Sequence, residues 1–181
     1  KIRYYGVALG PDIGWLEEGM ASMKERHVHS LQVIYSILEQ EPARDFFPIA
    51  QREQVGLLSR VPHASDALTG RYTQVPTFQE GDHRAHRRAE WLREALRKVE
   101  QVKFLAGEET GRTMSQAAIK FCLARPAIVS VLPNFTNLGE LREYTGRNRT
   151  SRPGGPSWRR SRRRCCTQPW PGAARTRRSP S

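Results

Sequence analysis

Short apolar runs recur along the chain, separated by stretches with helical period. Ile2-Arg3-Tyr4-Tyr5-Gly6-Val7 is β-branched and aromatic and breaks at Gly10-Pro11, which predicts a strand. Residues 16–27 carry Met20, Met23 and paired charges and predict a helix. Leu31-Gln32-Val33-Ile34-Tyr35 is a short apolar run with strand character. Residues 42–55 are expected to be helical in part, with the helix starting near Pro48, because proline is tolerated in a first turn and disruptive further in. Gly56-Leu57-Leu58 is a further apolar run, followed by a loop rich in turn residues through Gly70 and Pro76 to Asp82.

In residues 89–105, Leu92, Leu96, Val99 and Val102 fall near helical spacing with charges between them, the clearest helix in the chain. Thr113-Met114-Ser115-Gln116 opens a second helix over residues 117–124, which stops before Pro126. Ile128-Val129-Ser130-Val131-Leu132 is a continuous apolar strand, and residues 136–144 form a last short helix. The order is βαβαβ(α)αβα. Because the strands are short and apolar, both of their faces are expected to be buried, as in an α/β fold with parallel strands under covering helices. An open doubly wound sheet and part of a barrel both fit this order.

Residues 146–181 differ in kind. They hold Arg, Pro, Gly, Ser, Thr and two Trp but no Ile, Leu, Val, Met or Phe, so they cannot bury a core and are expected to be a disordered tail beside a domain of residues 1–145. The net charge of +12 suggests a nucleic-acid binder. Its distribution argues otherwise: the tail carries eleven Arg and no Lys, Asp or Glu, which leaves about +1 for the rest. The 181 residues suffice for one domain with a core, whereas a complete (β/α)8 barrel takes roughly 250. Lys1 leads at once into strand-like residues, so the N-terminus is expected to be a cut end. Cys122 sits in an apolar helical pattern and is expected to be an inert core residue, while Cys165 and Cys166 lie in the tail without the paired spacing of a zinc site. No apolar run approaches the ~18 residues of a membrane span, so no membrane partner is expected, and the cytoplasm is the expected location.

Four segments together resemble one family. Lys1-Ile2-Arg3-Tyr4-Tyr5-Gly6-Val7 is similar to the fifth strand of the aldo-keto reductase barrel, and Leu31-Gln32-Val33-Ile34-Tyr35-Ser36 to the next strand. Residues 55–71 (VGLLSRVPHASDALTGR) resemble the seventh strand and its loop; residues 116–132 and then 133–144 resemble the closing strand and the short cofactor-binding helix. Order and spacing agree from Lys1 to about Tyr144. The resemblance implies a partial (β/α)8 TIM barrel, its C-terminal half, and a carbonyl reductase or alcohol dehydrogenase that passes hydride between NADP(H) and a small-molecule aldehyde or ketone. It also implies that the catalytic Tyr, Lys, Asp and His precede Lys1, so no catalytic residue is assigned and the chain alone is expected to be inactive.

The cofactor side is what the resemblance leaves in this chain. Gln32 matches the Gln that hydrogen-bonds the nicotinamide carboxamide, a group that needs both a donor and an acceptor. Arg60 stands where some members stack an aromatic residue on nicotinamide and others carry Arg. Pro62, Ala64 and Ser65 match the pyrophosphate loop. His63 replaces a Leu there, and Asp66 replaces a Gly, which raises two concerns: a position needing positive φ and a carboxylate near phosphates. Asn134 stands where the family has Gly, Thr136 where Arg, Lys or Ser meets the 2′-phosphate, Glu140 where it has Gln, and Tyr144 where an Asn holds adenine. A helix N-terminus here favours a phosphate. Ala8-Leu9 replaces Ser-Asn, which removes another carboxamide partner.

Other constellations carry less. Asp82-His83-x-x-His86 pairs two His on one helix face but lacks further ligands, so solvated loop histidines are expected and no metal site. His27 and His29 read as surface residues, and Glu17-Glu18 and Glu108-Glu109 as solvated charges. The tail run Arg159-Arg160-Ser161-Arg162-Arg163-Arg164, with Trp158 and Trp170, admits RNA binding as the alternative function. An out-of-frame reading of GC-rich coding sequence gives the same composition.

Overall fold

A computed structural model describes residues 1–10, 15–41, 43–86 and 88–146. Its four strands are β1 (Gly6–Ala8), β2 (Ser30–Ile34), β3 (Gly56–Arg60) and β4 (Ile128–Leu132). They run parallel in the order β1-β2-β3-β4. The helices are α1 (Trp15–Lys24), α2 (Ala43–Arg52), α3 (Ala89–Val102), α4 (Met114–Leu123) and α5 (Leu138–Thr145). Strand, helix and neighbouring strand follow in sequence, the arrangement of part of a (β/α)8 barrel.

One core joins sheet and helices. Leu31, Val33 and Leu57 pack with Met23 of α1, Phe46 and Ala50 of α2, Ala95 and Val99 of α3, and Ala118, Phe121 and Cys122 of α4. The alternate residues Gln32, Ile34, Leu58 and Arg60 lie on the opposite face and are only half-buried. The expectation that both strand faces are buried therefore holds for one. The helices coat a single side, and among the described residues nothing packs fully over the other.

Two element boundaries differ from the sequence pattern. Pairing of the first strand begins at Gly6, not Ile2, and Ile2 and Tyr4 are 86% and 73% exposed. Gly6 is needed where β1 closes on β2, because a Cβ there would meet the Ser30 carbonyl oxygen at 2.6 Å. Pro48 lies inside α2 rather than at its start. The carbonyl it leaves unpaired belongs to exposed Arg44, open to water, while Ala43 and Phe46 ahead of it are fully buried. Burying a phenyl ring is worth about 2–3 kcal/mol, similar to the ~3 kcal/mol cost of a mid-helix proline, so the longer helix survives.

The other boundaries follow local chemistry. Thr113 caps α4, accepting from the Gln116 N–H at 3.2 Å while the Gln116 side chain accepts the Thr113 N–H at 3.1 Å. Asn137 caps α5 by accepting the Glu140 N–H at 3.0 Å, so that helix starts at Leu138 rather than Thr136. α3 runs on into a 3-10 turn over Lys103–Leu105, and together they cover the expected helix. No helix among the described residues is long and apolar enough to cross a membrane. The tail expected to be disordered lies outside the described residues.

Candidate cofactor site at the carboxyl ends of the strands

All four strands end on the same side of the sheet, the side on which barrels of this kind carry their sites. Gln32 stands in register between Ala8 of β1 and Leu58 of β3. Its main-chain oxygen accepts the Leu9 N–H at 3.1 Å. Among the described residues no hydrogen bond reaches its carboxamide. Leu9 turns its side chain into the core, 1% exposed, and offers only its carbonyl to the site. Arg60, at the end of β3, reaches across β2 to that carbonyl, Nη2 to oxygen 2.8 Å. Its Nε is buried without a partner.

The loop after β3 is strained. Val61, Ala64, Ser65 and Asp66 take φ values of 55°, 49°, 52° and 68°. Such left-handed conformations cost roughly 1–3 kcal/mol each for residues with a Cβ, and a β-branched residue such as Val61 is a true outlier. Local bonds hold the shape: Ala64 N–H to the Val61 oxygen at 3.0 Å, Ala67 N–H to the Ala64 oxygen at 3.1 Å, and the Tyr72 hydroxyl to the Ser65 oxygen at 3.2 Å. Pro62, His63 and Ala64 are buried and Ser65 is half-buried. The positive φ of Asp66 meets the first concern about that position. Its carboxylate is balanced by Arg84, Nη1 to Oδ2 2.6 Å, and Arg84 also pairs with Asp82 at 2.6 Å and lies 5.0 Å over the Phe78 ring. The Asp82 hydrogen bonds, foremost, push the Arg84 guanidinium pKa up.

The same loop docks on α4 and α5. The His63 ring nitrogen Nε2 lies 3.3 Å from the Ser115 carbonyl, which fits an N–H donor there, and the ring packs 4.7 Å from that of Tyr144. Burial holds the His63 pKa below its ordinary value, against the raising effect of the Ser115 bond, and burial pushes the Tyr144 hydroxyl up. Arg71 forms an ion pair with Glu140. Glu140 is buried and also accepts the Thr136 N–H at 2.7 Å. Glu143 of α5 is held to α4 by the Thr113 hydroxyl at 2.5 Å and by the Gln116 side chain, which donates to the Glu143 carbonyl at 2.9 Å.

The sequence-derived residues thus fall into two groups on one side of the sheet. Gln32 and Arg60 stand at the strand ends; Pro62 and Ser65 lie in the strained loop, whose His63 packs on Tyr144; Thr136 and Glu140 bond each other at the start of α5; Asn134 is exposed between β4 and α5. Sequence reasoning missed Arg71 and Arg84 as the charges that balance Glu140 and Asp66. The only signal was that each acidic replacement needs a cation nearby. Fit to a nicotinamide dinucleotide differs along the site. The free Gln32 carboxamide and the guanidinium beside it suit an amide, whereas the phosphate end carries two carboxylates already matched by two arginines. The side chains of His83 and His86 lie outside the described residues, as does the Arg-rich run. Among the described residues no group of three or more His, Cys, Asp or Glu is placed to hold a metal ion. Cys122 is buried, and burial pushes its thiol up to about 12.

The model of the aldo/keto reductase family matches residues 1–149. A probable voltage-gated potassium channel subunit beta of Arabidopsis thaliana is 30% identical over 104 residues, 55% of this chain and 31% of that protein. The uncharacterized oxidoreductase YqkF of Bacillus subtilis (strain 168) is 24% identical over 144 residues, 78% of this chain and 43% of that protein. Among solved structures, the holo form of an aldo-keto reductase from Bacillus halodurans superposes with TM-score 0.61 at 20% identity, covering 91% of this chain and 50% of that one. A glycerol dehydrogenase of Gluconobacter oxydans gives TM-score 0.61 at 17% identity, with 81% and 45% covered. These structural likenesses show the fold. The chain spans between about a third and a half of the length of these proteins.

Proposed function

The chain belongs to the aldo/keto reductase family, and from that premise we propose that it holds the nicotinamide cofactor, NADP, for a reductase acting on small-molecule aldehydes or ketones. The observation that carries this reading is the Gln32 carboxamide, unpartnered among the described residues, on the strand that the Arg60 guanidinium crosses to reach Leu9. A Gln side chain donates and accepts, so it meets both needs of a second carboxamide. Leu9 stands where the family resemblance expects Asn, and Arg60, which holds the Leu9 carbonyl with Nη2 while its Nε is buried, brings a positive charge to that end of the site. On the family resemblance the Pro62–Ser65 loop would hold the pyrophosphate, and Asn134, Thr136 and Glu140 the far phosphate and adenine end.

When bound, the nicotinamide supplies the hydride. The residues of this chain would bind and orient it. Among the described residues we assign no proton donor, a role that requires a positioned acid with a tuned pKa, and on this reading the chain by itself turns over no carbonyl substrate. The test is titration of the chain with NADPH, followed by cofactor fluorescence with NADH as control. Saturable binding weakened by Gln32→Leu supports the reading; no binding at high concentration refutes it. Turnover of an aldehyde by the chain alone refutes the inactivity.

A further inference from the structure

His63 is the one histidine found buried among the described residues, and it stands in the most strained segment of the chain. Val61, Ala64, Ser65 and Asp66 around it all have positive φ, so outside contacts must hold the segment in shape. Ala64, Ala67 and Leu68 anchor it in the core, and the His63 ring adds a polar hold on the helices beyond. Nε2 lies 3.3 Å from the carbonyl of Ser115 in the first turn of α4, and the ring packs 4.7 Å from that of Tyr144 in α5. This contact suits the neutral ring. With its proton on Nε2 the imidazole satisfies Ser115, and among the described residues no hydrogen bond reaches Nδ1. A second proton would put an N–H on Nδ1 with no acceptor facing it. It would also set a cation against the N-terminal, positive end of α4. The charged groups around the ring are already engaged: Asp66 with Arg84, Arg71 with Glu140, and Glu143 with Thr113. Burial, foremost, holds the His63 pKa down and Arg71 adds to that, against the raising effects of the Ser115 bond, Asp66 and Glu143.

We propose that His63 is a proton-operated latch: neutral, it docks residues 61–66 on α4 and α5; protonated, it leaves them and the segment opens. Strain works in the same direction, because opening frees Val61, Ala64, Ser65 and Asp66 from their left-handed conformations. The core anchors Ala67 and Leu68 stay in place, so the movement is local. The sign follows from linkage. The docked His63 has a pKa below the ordinary value near 6.5, so docking is complete above that value and is lost as pH falls toward and through the docked pKa. Between the two values, each pH unit favours the open segment by about tenfold. On the proposed function this segment holds the pyrophosphate, and acid would release the cofactor. The latch itself stands on the contacts of His63 and is tested without cofactor, so failure of either reading leaves the other standing.

The test is amide hydrogen exchange of the full chain by NMR from pH ~7.5 to ~5, with rates corrected for the intrinsic pH dependence of exchange. The amides to follow are those of Ala64 and Leu68, which donate to the Val61 and His63 carbonyls at 3.0 Å each. The reference is the Leu57 N–H, bonded to the Ala127 carbonyl at 2.9 Å. Opening at Ala64 and Leu68 should rise by about tenfold per pH unit below ~6.5 while Leu57 stays protected. His63→Leu cannot be protonated there, and His63→Gln keeps an uncharged donor for Ser115, so each should abolish the acid response. Two variants keep the test decisive if one of them fails to fold. Unchanged protection of Ala64 and Leu68 down to pH ~5 in the parent chain overturns the proposal. So does an equal acid response in a folded variant, or an equal loss at Leu57, which would mean that acid unfolds the whole chain.

Discussion

Glu140 and Arg71 neutralise each other at the N-terminus of α5, and Glu140→Gln separates their contributions. Glu140 is almost fully buried (7% of its side chain exposed) while Arg71 is 45% exposed, so the pair is half in water. Unit charges about 4 Å apart interact by ~1 kcal/mol in water and ~4 kcal/mol at an effective dielectric near 20; the exposure of Arg71 favours the lower end, about 1–1.5 kcal/mol. Removing the carboxylate takes away that much repulsion toward an incoming 2′-phosphate and frees the guanidinium to meet it, which corresponds to about five- to tenfold tighter NADPH binding. The cost to folding is small, because the Gln oxygen still accepts the Thr136 N–H; a loss of about 0.5–1 kcal/mol is expected. The assay is parallel fluorescence titration of parent and variant with NADPH and NADH, with thermal melts as control. NADH lacks the 2′-phosphate, so its affinity should change much less. Equal tightening for both cofactors, or none for NADPH, would refute the reasoning.

Gln32→Leu removes the carboxamide at nearly constant volume and should weaken NADPH and NADH alike by about 1–2 kcal/mol, roughly five- to thirtyfold in the same titration, with little change in melting temperature. Thr113→Ala removes the cap of α4 and the hydroxyl that binds Glu143, and chemical denaturation should register a loss of about 1–2 kcal/mol. His63 has a folded pKa below its ordinary value near 6.5 because of burial, so its stabilising share is complete above that value and is lost as pH falls toward and through the folded pKa. Melting temperature should therefore drop between neutral pH and pH ~5, and drop less in His63→Phe, which keeps a ring against Tyr144; an identical pH profile in the two proteins would remove His63 from the account.

The strands with the densest apolar runs, β2, β3 and β4, were legible as runs, although only alternate residues such as Leu31, Val33 and Leu57 lie under the helices. α3 was legible because Leu92, Val99 and Val102 fall on one buried stripe; Ala95 completes it, whereas Leu96, which the pattern pointed to, is half-buried. β1 was legible in kind but not in extent. Composition makes Ile2-Arg3-Tyr4-Tyr5 look like a strand, yet pairing depends on a neighbour that periodicity does not contain. Pro48 misled because proline rules weigh one hydrogen bond and one clash, whereas the helix was decided by Phe46 reaching the core. In the site, resemblance drew attention to Gln32 and Arg60, but the Arg60 contact with Leu9 spans 51 positions and the His63 contact with Ser115 spans 52. No local pattern encodes such pairs, and the cations that balance Asp66 and Glu140 were hidden for the same reason.

The distribution of strain adds a separate argument that the carboxyl side of the sheet is where this chain does its work. Among the described residues six non-glycine positions have positive φ, and four of them are crowded into Val61–Asp66. A turn with these dihedrals would form at no steric cost from glycine. The chain instead carries Val, Ala, Ser and Asp there, and then needs Arg84 to neutralise the Asp66 carboxylate, as it needs Arg71 to neutralise Glu140. Folding alone gives no reason to place side chains and buried charge where bare backbone suffices. The core accounts for Ala64, which is fully buried in it, but not for Val61, Ser65 and Asp66, which are only half-buried. A surface that must present a fixed set of donors and charges to a ligand does give such a reason, because a glycine loop would lose that shape to conformational entropy before binding.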